Sequence, residues 1–417
     1  MTELTAPNHS VLQRRTIRTL MMGLVPGGAA LSAAYSTAAV LGEELTGSET
    51  LGGLAAAGMT TGAALATLPL AKVMAARGRR PGLMLGYGLA AVGALLSVGA
   101  AVSGVYVLLL LGMLGVGIGN AANLASRYAA ADLATPDHRA RAIGTLVWAS
   151  TFGSVLGPTI GFGPAKDFAN FIGIHELAGP HLFAAVLFTV SALVVFFRLK
   201  PDPLVVAGGL GKDAADRGLK EAAKSLFASP VGRLSVGSMV AGHWVMVGVM
   251  TMTPLHLKAG DHNLEVIGFV ISLHIIGMYA ASPVVGWLTD RITAPPVMAM
   301  GGALLFLGAQ MAANTPAQES DGIFFGLFFI GLGWSCGLVA SSALLAVTFD
   351  GPDRVRVQGL ADLSMTTAGA LAGVSAGLVV AATSYQTLGD IASIVGLLPI
   401  LGFVALMISQ RKAASAA

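Results

Sequence analysis

Residues 235–291 read SVGSMVAGHWVMVGVMTMTPLHLKAGDHNLEVIGFVISLHIIGMYAASPVVGWLTDR, two apolar segments joined by the short polar turn AGDHN at 259–263. Each segment is long enough to form a helix that crosses a bilayer, which takes about 20 apolar residues. The rest of the chain is similar, since 55% of its 417 residues are hydrophobic, 11% are charged and the mean hydropathy is +0.77. This composition excludes a soluble globular domain and predicts an all-α membrane protein.

Both of these helices carry histidine and methionine at helical spacing. His243, Met246 and Met250 share one face of the first helix, and His274 and Met278 share one face of the second. Counted from the turn, Met246 and His274 lie roughly 15 Å deep, and His243 and Met278 roughly 21 Å deep. In an antiparallel helix pair these faces match in level, and thioether and imidazole groups together suit Cu(I). Packing is the alternative interpretation for Met, whereas a histidine at this depth indicates function.

The chain contains about twelve apolar spans. Apart from the two in 235–291, they cover about residues 17–42, 49–74, 82–102, 104–131, 139–162, 180–198, 294–314, 321–349, 355–383 and 388–409. The polar segment after span 6 is predicted to end in a short amphipathic helix at the membrane surface. We therefore divide the chain into an N-terminal six-helix bundle (1–199), a cytoplasmic linker (200–230) and a C-terminal six-helix bundle (231–417).

An internal repeat indicates that the two bundles are related. RARAIG at 139–144 recurs as RVRVQG at 354–359, and GIG at 117–119 recurs as GLG at 331–333. Both offsets are close to half the chain, which is typical of a duplicated transporter with two pseudo-symmetric halves. Most Lys and Arg residues fall on one side of this topology, so we expect a plasma-membrane protein with both termini in the cytoplasm.

Several classes of function are excluded or disfavoured by the same composition. The sequence has no basic patch with interleaved aromatic residues, so it does not indicate nucleic-acid binding. The single cysteine, Cys336, excludes an internal disulfide. The N-terminus does not resemble a cleaved signal peptide, so we expect it to remain as a cytoplasmic tail. We expect a monomer in the lipid bilayer that transports a small molecule or a metal ion, with no enzymatic activity and no cofactor.

The chain resembles the major facilitator superfamily over nearly its full length. The loop after span 8 contains GWLTDR, which is similar to the superfamily's cytoplasmic gate motif. Its motif residues are Gly286, Leu288, Asp290 and Arg291. The loop after span 2 contains VMAARGRRPG, in which Gly78, Arg79 and Arg80 match the motif but Ala75 stands where an Asp is usual. The resemblance implies that the charged latch on the cytoplasmic side depends on the second copy.

Within the superfamily, VMVGVM on span 7 and LHIIGM on span 8 resemble the metal-binding motifs of the CcoA-like copper importer group. This resemblance implies copper import, with copper as the transported substrate and Met246, Met250, His274 and Met278 as its ligands. His243 is added as a fifth candidate ligand from its depth. The same branch includes riboflavin carriers, so the alternative is a transporter of a small organic solute, by riboflavin-type uptake or by proton-coupled export of a drug or metabolite.

Three charged residues within or beside the spans complete the candidate set. Arg127 and Asp132 fall near the predicted cytoplasmic end of span 4, where we expect them to take part in the gate. Asp362 lies roughly 9 Å into span 11 by helical rise, so it is a candidate proton carrier. A structural pairing of Asp362 with Arg127 or with another arginine is the alternative.

Overall fold

A computed structural model of the protein describes residues 6–210 and 219–416. Within these ranges the regular structure is helical and no strand is present. The α-helices are α1 (Ala6–Thr46), α2 (Glu49–Arg77), α3 (Arg79–Ser103), α4 (Tyr106–Ala131), α5 (Arg139–Ile160), α6 (Lys166–Phe171), α7 (Ala178–Arg198), α8 (Pro203–Val206), α9 (Leu219–Ala228), α10 (Pro230–Ala259), α11 (Leu264–Tyr279), α12 (Ser282–Ile292), α13 (Ala294–Ala313), α14 (Asp321–Thr348), α15 (Gly351–Ala382), α16 (Tyr385–Gly396) and α17 (Leu398–Ala416). Helices satisfy their own backbone hydrogen bonds, which the interior of a bilayer requires.

Twelve helical segments of the described chain are long and apolar enough to cross a membrane. They confirm the predicted multi-pass architecture, although the first and fifth segments, His9–Thr46 and Pro136–Phe171, extend well beyond their apolar cores. The short helix predicted at the end of the linker is α9. Residues 211–218 of that linker lie outside the described residues.

Spans 5, 8 and 12 are each interrupted next to a proline. In span 5, a π-helical turn, Gly161–Ala165, separates α5 from α6 around Pro164. In span 8, α11 ends before Pro283, and in span 12, α16 ends before Pro399. Proline lacks an N–H group and its ring clashes with the preceding turn, so it bends or ends a helix.

The chain forms two compact units. The N-terminal unit comprises Met1–Ala134, Ala149–Arg217 and Asp350–Leu360, and the C-terminal unit comprises Thr135–Trp148, Gly218–Phe349 and Ala361–Ala417. Two helices, α5 and α15, are therefore each divided between the units. The bundle boundaries predicted from chain order stay a prediction, since they describe the order of the spans and not their contacts.

In the N-terminal unit, α3 packs against α4 and α7, and α2 packs against α4. Small residues set the spacing between these helices. A Cβ atom on Gly93 of α3 would lie 2.6 Å from the Cα atom of Gly115 on α4, so only glycine permits this crossing. Such close contacts replace the hydrophobic driving force that is missing between helices in lipid.

In the C-terminal unit, α14 packs against α10, α11 and α13. A Cβ atom on Gly277 of α11 would meet the Phe328 carbonyl oxygen, and one on Gly331 of α14 would lie 2.5 Å from the His274 carbonyl oxygen. By contrast, the consecutive helices α10 and α11 contact each other little. Spans 7 and 8 therefore do not pack directly face to face, because these glycines bring α11 against α14 instead. The metal site predicted on their facing side chains stays a prediction.

Candidate functional site

A histidine and a tryptophan are hydrogen-bonded at the midpoints of α10 and α14. The Trp334 Nε1–H group donates to His243 Nδ1 over 2.9 Å. The Tyr279 ring of α11 meets the Trp334 ring edge-on, with centroids 5.8 Å apart and planes at 89°. Trp334 is 4% exposed, whereas His243 and Tyr279 are half-buried. We call His243, Tyr279 and Trp334 the His–Trp cluster.

The His–Trp cluster combines aromatic faces with a polar group far from both helix ends. His243 lies roughly 20 Å from the start of α10 and 24 Å from its end by helical rise. Because Nδ1 accepts the indole N–H, a neutral His243 carries its own proton on Nε2. The ring also lies against Gly369 of α15, so this position brings four helices together. An aromatic surface of this kind is suited to stacking on a planar ring.

His274 is held in a different way, also by α14. It is fully buried, and its Nδ1 lies 2.8 Å from the Leu327 carbonyl oxygen. Since a carbonyl only accepts hydrogen bonds, Nδ1 carries the proton and Nε2 carries a lone pair. Nε2 is buried and has no hydrogen-bond partner. A histidine that donates one ring N–H to a backbone carbonyl and presents the other nitrogen has the arrangement of a metal ligand.

The predicted methionine ligands lie on α10 and α11. Met246 and Met278 are buried, and Met250 is half-buried. Both predicted histidines are hydrogen-bonded to α14, and α14 contacts both α10 and α11. Within the described residues, His, Cys, Asp and Glu side chains form no group of three or more that could hold a metal. A metal site in this region would therefore depend on methionine sulfur.

In the N-terminal unit, the predicted gate residues Arg79 and Asp132 form a buried, bidentate ion pair. Arg79 Nε donates to Asp132 Oδ2 over 2.8 Å, and Arg79 Nη2 donates to Oδ1 over 3.3 Å. Arg354 Nη2 lies 3.3 Å from the same Oδ1, and Arg79 also donates to Gln358 Oε1 over 2.8 Å. We call Arg79, Asp132, Arg354 and Gln358 the arginine cluster. It fixes α3, α4 and the first turns of α15 to one another.

In the C-terminal unit, Asp290 binds backbone groups and not an arginine side chain. Its two carboxylate oxygens accept the N–H groups of Ala140 and Arg141, each over 3.0 Å. These residues begin α5, so Asp290 caps the first turn of that helix, whose N–H groups have no partner within the helix. Gly286 allows the approach, since a Cβ atom there would lie 2.5 Å from the Ala140 carbonyl oxygen.

The junction between α2 and α3, which carries the first copy of the gate motif, is held by a residue that the sequence patterns did not indicate. Asp202, which precedes α8, accepts the Arg80 backbone N–H over 2.7 Å. It also accepts the N–H groups of Leu204 and Val205. The Arg80 side chain lies over the Phe196 ring at 5.0 Å. Nothing in the motif pattern pointed to Asp202, because its role depends on a contact between distant loops.

The other predicted residues are Arg291, Arg127 and Asp362. Arg291 is exposed and lies 5.4 Å from the Trp287 ring centroid. Arg127 is buried, donates to the Leu124 carbonyl oxygen over 2.5 Å and lies over the Tyr128 ring at 4.3 Å. Asp362 is 3% exposed, and its backbone carbonyl accepts the hydroxyl of Thr366.

Two further polar contacts were missed by the sequence reasoning. The buried Tyr87 hydroxyl donates to Asn123 Oδ1 over 2.6 Å, which fixes an amide within α4. Arg354 and Gln358 complete the arginine cluster. The RVRVQG repeat, which contains both, was the available signal, but it does not reveal which carboxylate the arginine meets.

Comparison with known proteins identifies the family. A sequence model described as Major Facilitator Superfamily matches residues 20–265 and 249–417. The chain belongs to this superfamily. The finding confirms what the gate motifs implied, and the narrower resemblance to copper importers stays a prediction.

Relatives of the chain include transporters of known and unknown substrate. It is 34% identical over 390 residues to the uncharacterized MFS-type transporter YdeG of Bacillus subtilis, covering 93% of this chain and 90% of that protein. It is 26% identical over 380 residues to the riboflavin transporter RfnT of Brucella anthropi, covering 90% and 91%. The fold matches the crystal structure of the human organic anion transporter MFSD10, with a TM-score of 0.76, 17% identity and coverage of 94% and 99%.

Proposed function

We propose that the protein is a secondary transporter for a small organic solute that contains a planar ring. It acts by alternating access as a monomer in the cytoplasmic membrane, with both termini in the cytoplasm. The superfamily membership supports transport, and the side on which Lys and Arg accumulate supports the orientation.

The His–Trp cluster is the observation that carries the substrate class. Transporter sites lie near the bilayer midplane, and His243 and Trp334 occupy the midpoints of their helices. The half-buried Tyr279 and His243 flank the indole, so a planar ring has aromatic faces to stack on. Because the relative RfnT is named a riboflavin transporter, riboflavin, a planar ring system with polar edges, is the first compound to test.

Uptake of riboflavin into cells that lack their own importer tests this proposal. We expect uptake with the wild-type protein and a loss of about tenfold in Trp334→Phe and in His243→Ala, the size of one hydrogen bond or stacking contact. His243→Gln, which keeps a hydrogen-bonding group, should recover part of the activity. Trp287→Phe is the matched control, because Trp287 is 42% exposed and lies on α12. Uptake that is equal in all four variants would refute a role for the cluster.

Copper import is a second candidate, and His274 is the observation that favours it. Its buried Nε2 is a ready ligand, and Met278 follows it by one helical turn. The proposed ligand set remains Met246, Met250, His274, Met278 and His243. Copper uptake would be measured in Met246→Leu and Met278→Leu, which remove sulfur at nearly constant volume. Met298→Leu, a buried methionine of α13, is the control. Copper uptake that is unchanged in the first two variants excludes this candidate.

Asp362 is proposed as the proton-coupling group. A carboxyl group buried within a span is costly, and in transporters such groups mark proton relays. We expect Asp362→Asn to abolish uptake driven by a pH gradient while leaving exchange of labelled for unlabelled solute intact. Loss of both activities would assign Asp362 to structure instead.

A further inference from the structure

A groove runs along the surface of the C-terminal unit between α10 and α17. It has a volume of about 200 Å³, and its walls are mostly apolar. Its lining residues include Arg233, Leu234 and Gly237 from α10 and Leu398, Gly402 and Ser409 from α17. From Leu398 to Ser409 it is roughly 16 Å long by helical rise. That length is close to one leaflet of the hydrocarbon core, which is about 15 Å.

The floor of the groove is open because two glycines form it. A Cβ atom on Gly237 would have no neighbour within 4 Å, whereas one on Gly402 would meet the Leu234 side chain at 2.9 Å. Leu398, at the far end from the charges, is 51% exposed. The space beside Gly237 is therefore open and can be filled by mutation, whereas at Gly402 the groove has no room for a side chain.

The other end of the groove is basic. Arg233 lines it and is exposed, and its Nη1 donates to the carbonyl oxygens of Phe227 and Ala228. The other N–H groups of this guanidinium have no acceptor within the described residues, and they remain available to an anion. Lys412 follows Ser409 by three residues on α17, so it lies on the same helical face. Both charges are thus at one end of the apolar channel.

The position of α9 indicates at which depth in the membrane the basic end of the groove lies. Ala222 and Leu226 are buried, whereas Lys220 and Lys224 are exposed, so the helix is amphipathic. A Cβ atom on Gly232 of α10 would meet the Leu226 carbonyl oxygen, so α9 packs directly against the start of α10. Amphipathic helices of this kind lie in the plane of the lipid headgroups.

We propose that this groove binds an anionic phospholipid, with its phosphate on Arg233 and Lys412 and one acyl chain along Gly237. Guanidinium and ammonium groups at headgroup level recognise phosphate, and apolar walls of one-leaflet length suit the chain. This site is separate from the His–Trp cluster and does not depend on the transported solute.

Native mass spectrometry of the full-length protein in detergent tests the proposal. Phosphatidylglycerol and phosphatidylcholine would be added in turn, and bound lipid would be counted. We expect the wild type to prefer phosphatidylglycerol. Because each basic residue near a membrane surface contributes about fivefold to anion binding, Arg233→Gln and Lys412→Gln should each weaken phosphatidylglycerol binding by about fivefold. Neither variant should change the binding of phosphatidylcholine.

A variant that fills the groove separates this site from general lipid binding. Gly237→Leu should remove the phosphatidylglycerol adduct, and the residue has room for the side chain. Gly88→Leu on α3 is the matched control, since a Cβ atom there also has no neighbour within 4 Å. Arg77→Gln, at an exposed arginine that ends α2, is the charge control.

Three results would overturn the proposal. The first is equal binding of the two lipids by the wild type. The second is an adduct that survives Gly237→Leu as well as it survives Gly88→Leu. The third is a dimer of the protein that Gly237→Leu dissociates, which would make the groove an interface between two copies.

Discussion

The α2–α3 junction and the α12–α13 junction occupy equivalent places in the two halves of the chain, yet each keeps a different half of the gate motif. The first has Arg79 but Ala75 in place of the acidic residue. The second has Asp290, but Ala294 stands where the first has Arg79. Accordingly, the arginine cluster is a buried ion-pair network, whereas Asp290 caps a helix through two backbone N–H groups.

The same division extends to the repeated arginines, Arg139 at the start of α5 and Arg354 in the first turn of α15. Arg354 lies 3.3 Å from the Asp132 carboxylate at the end of α4. Its counterpart Arg139 donates to the Ala346 carbonyl oxygen at the end of α14 over 2.8 Å. Both copies of the repeat therefore keep the arginine and its contact with the end of a long helix. Arg354 contacts a carboxylate at the end of α4, and Arg139 contacts a backbone carbonyl oxygen at the end of α14. The N-terminal unit is held by buried ion pairs, and in the C-terminal unit the charged Arg139 and Asp290 side chains bind backbone groups.

The largest effect is expected from Asp132→Asn. This change leaves Arg79 and Arg354, both buried, against a neutral amide, and removing one partner of a buried ion pair costs about 3–5 kcal/mol. We expect the thermal midpoint of the purified protein to fall far more than in Asp290→Asn, whose carboxylate accepts the backbone N–H groups of Ala140 and Arg141. The double variant Asp132→Asn/Arg354→Gln should recover part of the loss. Equal decreases at the two positions would show that charge does not distinguish the loops.

A smaller effect is expected from Asp290→Ala. Removal of the cap leaves the N–H groups of Ala140 and Arg141 without the carboxylate, which costs about 1–2 kcal/mol. Asp290→Asn keeps one acceptor oxygen and should lose less. The thermal midpoint measured in both variants checks this order, and an Asn variant as unstable as the Ala variant would mean that the negative charge is what matters.

The helices and the motif residues could be predicted from the sequence, because apolar spans and gate loops are local patterns. Arg79, Asp132 and Asp290 were all assigned to the gate, and all three take part in the contacts described above. The partners of His243 and His274 could not be predicted in this way. Both are hydrogen-bonded to α14, and which helix packs against which is decided by the fit of small residues such as Gly277 and Gly331, not by hydropathy.

Ala75→Asp would restore the missing half of the first motif. By the repeat, a carboxylate at this position should reach the N–H groups of Val355 and Arg356, as Asp290 reaches Ala140 and Arg141. We expect the added cap to stabilise the protein by about 1 kcal/mol. We also expect slower transport, because the cap would favour the closed state of the gate. Ala76→Asp, at the exposed neighbouring position, is the control. A destabilised Ala75→Asp variant would mean that the arginine cluster has taken the space of the cap.

The smallest effect is expected at the residues that directly follow α2 and α12, which are Gly78 and Thr293. Gly78 has φ +102° and Thr293 has φ +72°, with ψ near 170° and 165°. This region is essentially restricted to glycine and costs another residue about 1–3 kcal/mol. Thr293 makes no side-chain cap to α13, so Thr293→Gly loses no hydrogen bond there.

Relief of this strain is partly offset by the greater freedom of glycine in the unfolded chain, which leaves a net gain of about 0.5–1 kcal/mol for Thr293→Gly. The same measurement on Gly78→Ala should show the opposite sign, since the added Cβ atom would lie 2.5 Å from the Asp202 carboxylate. If both changes destabilise the protein, the Thr293 side chain contributes to the second loop in a way that its backbone conformation does not explain. The two loops would then differ in their turns as well as in their charges.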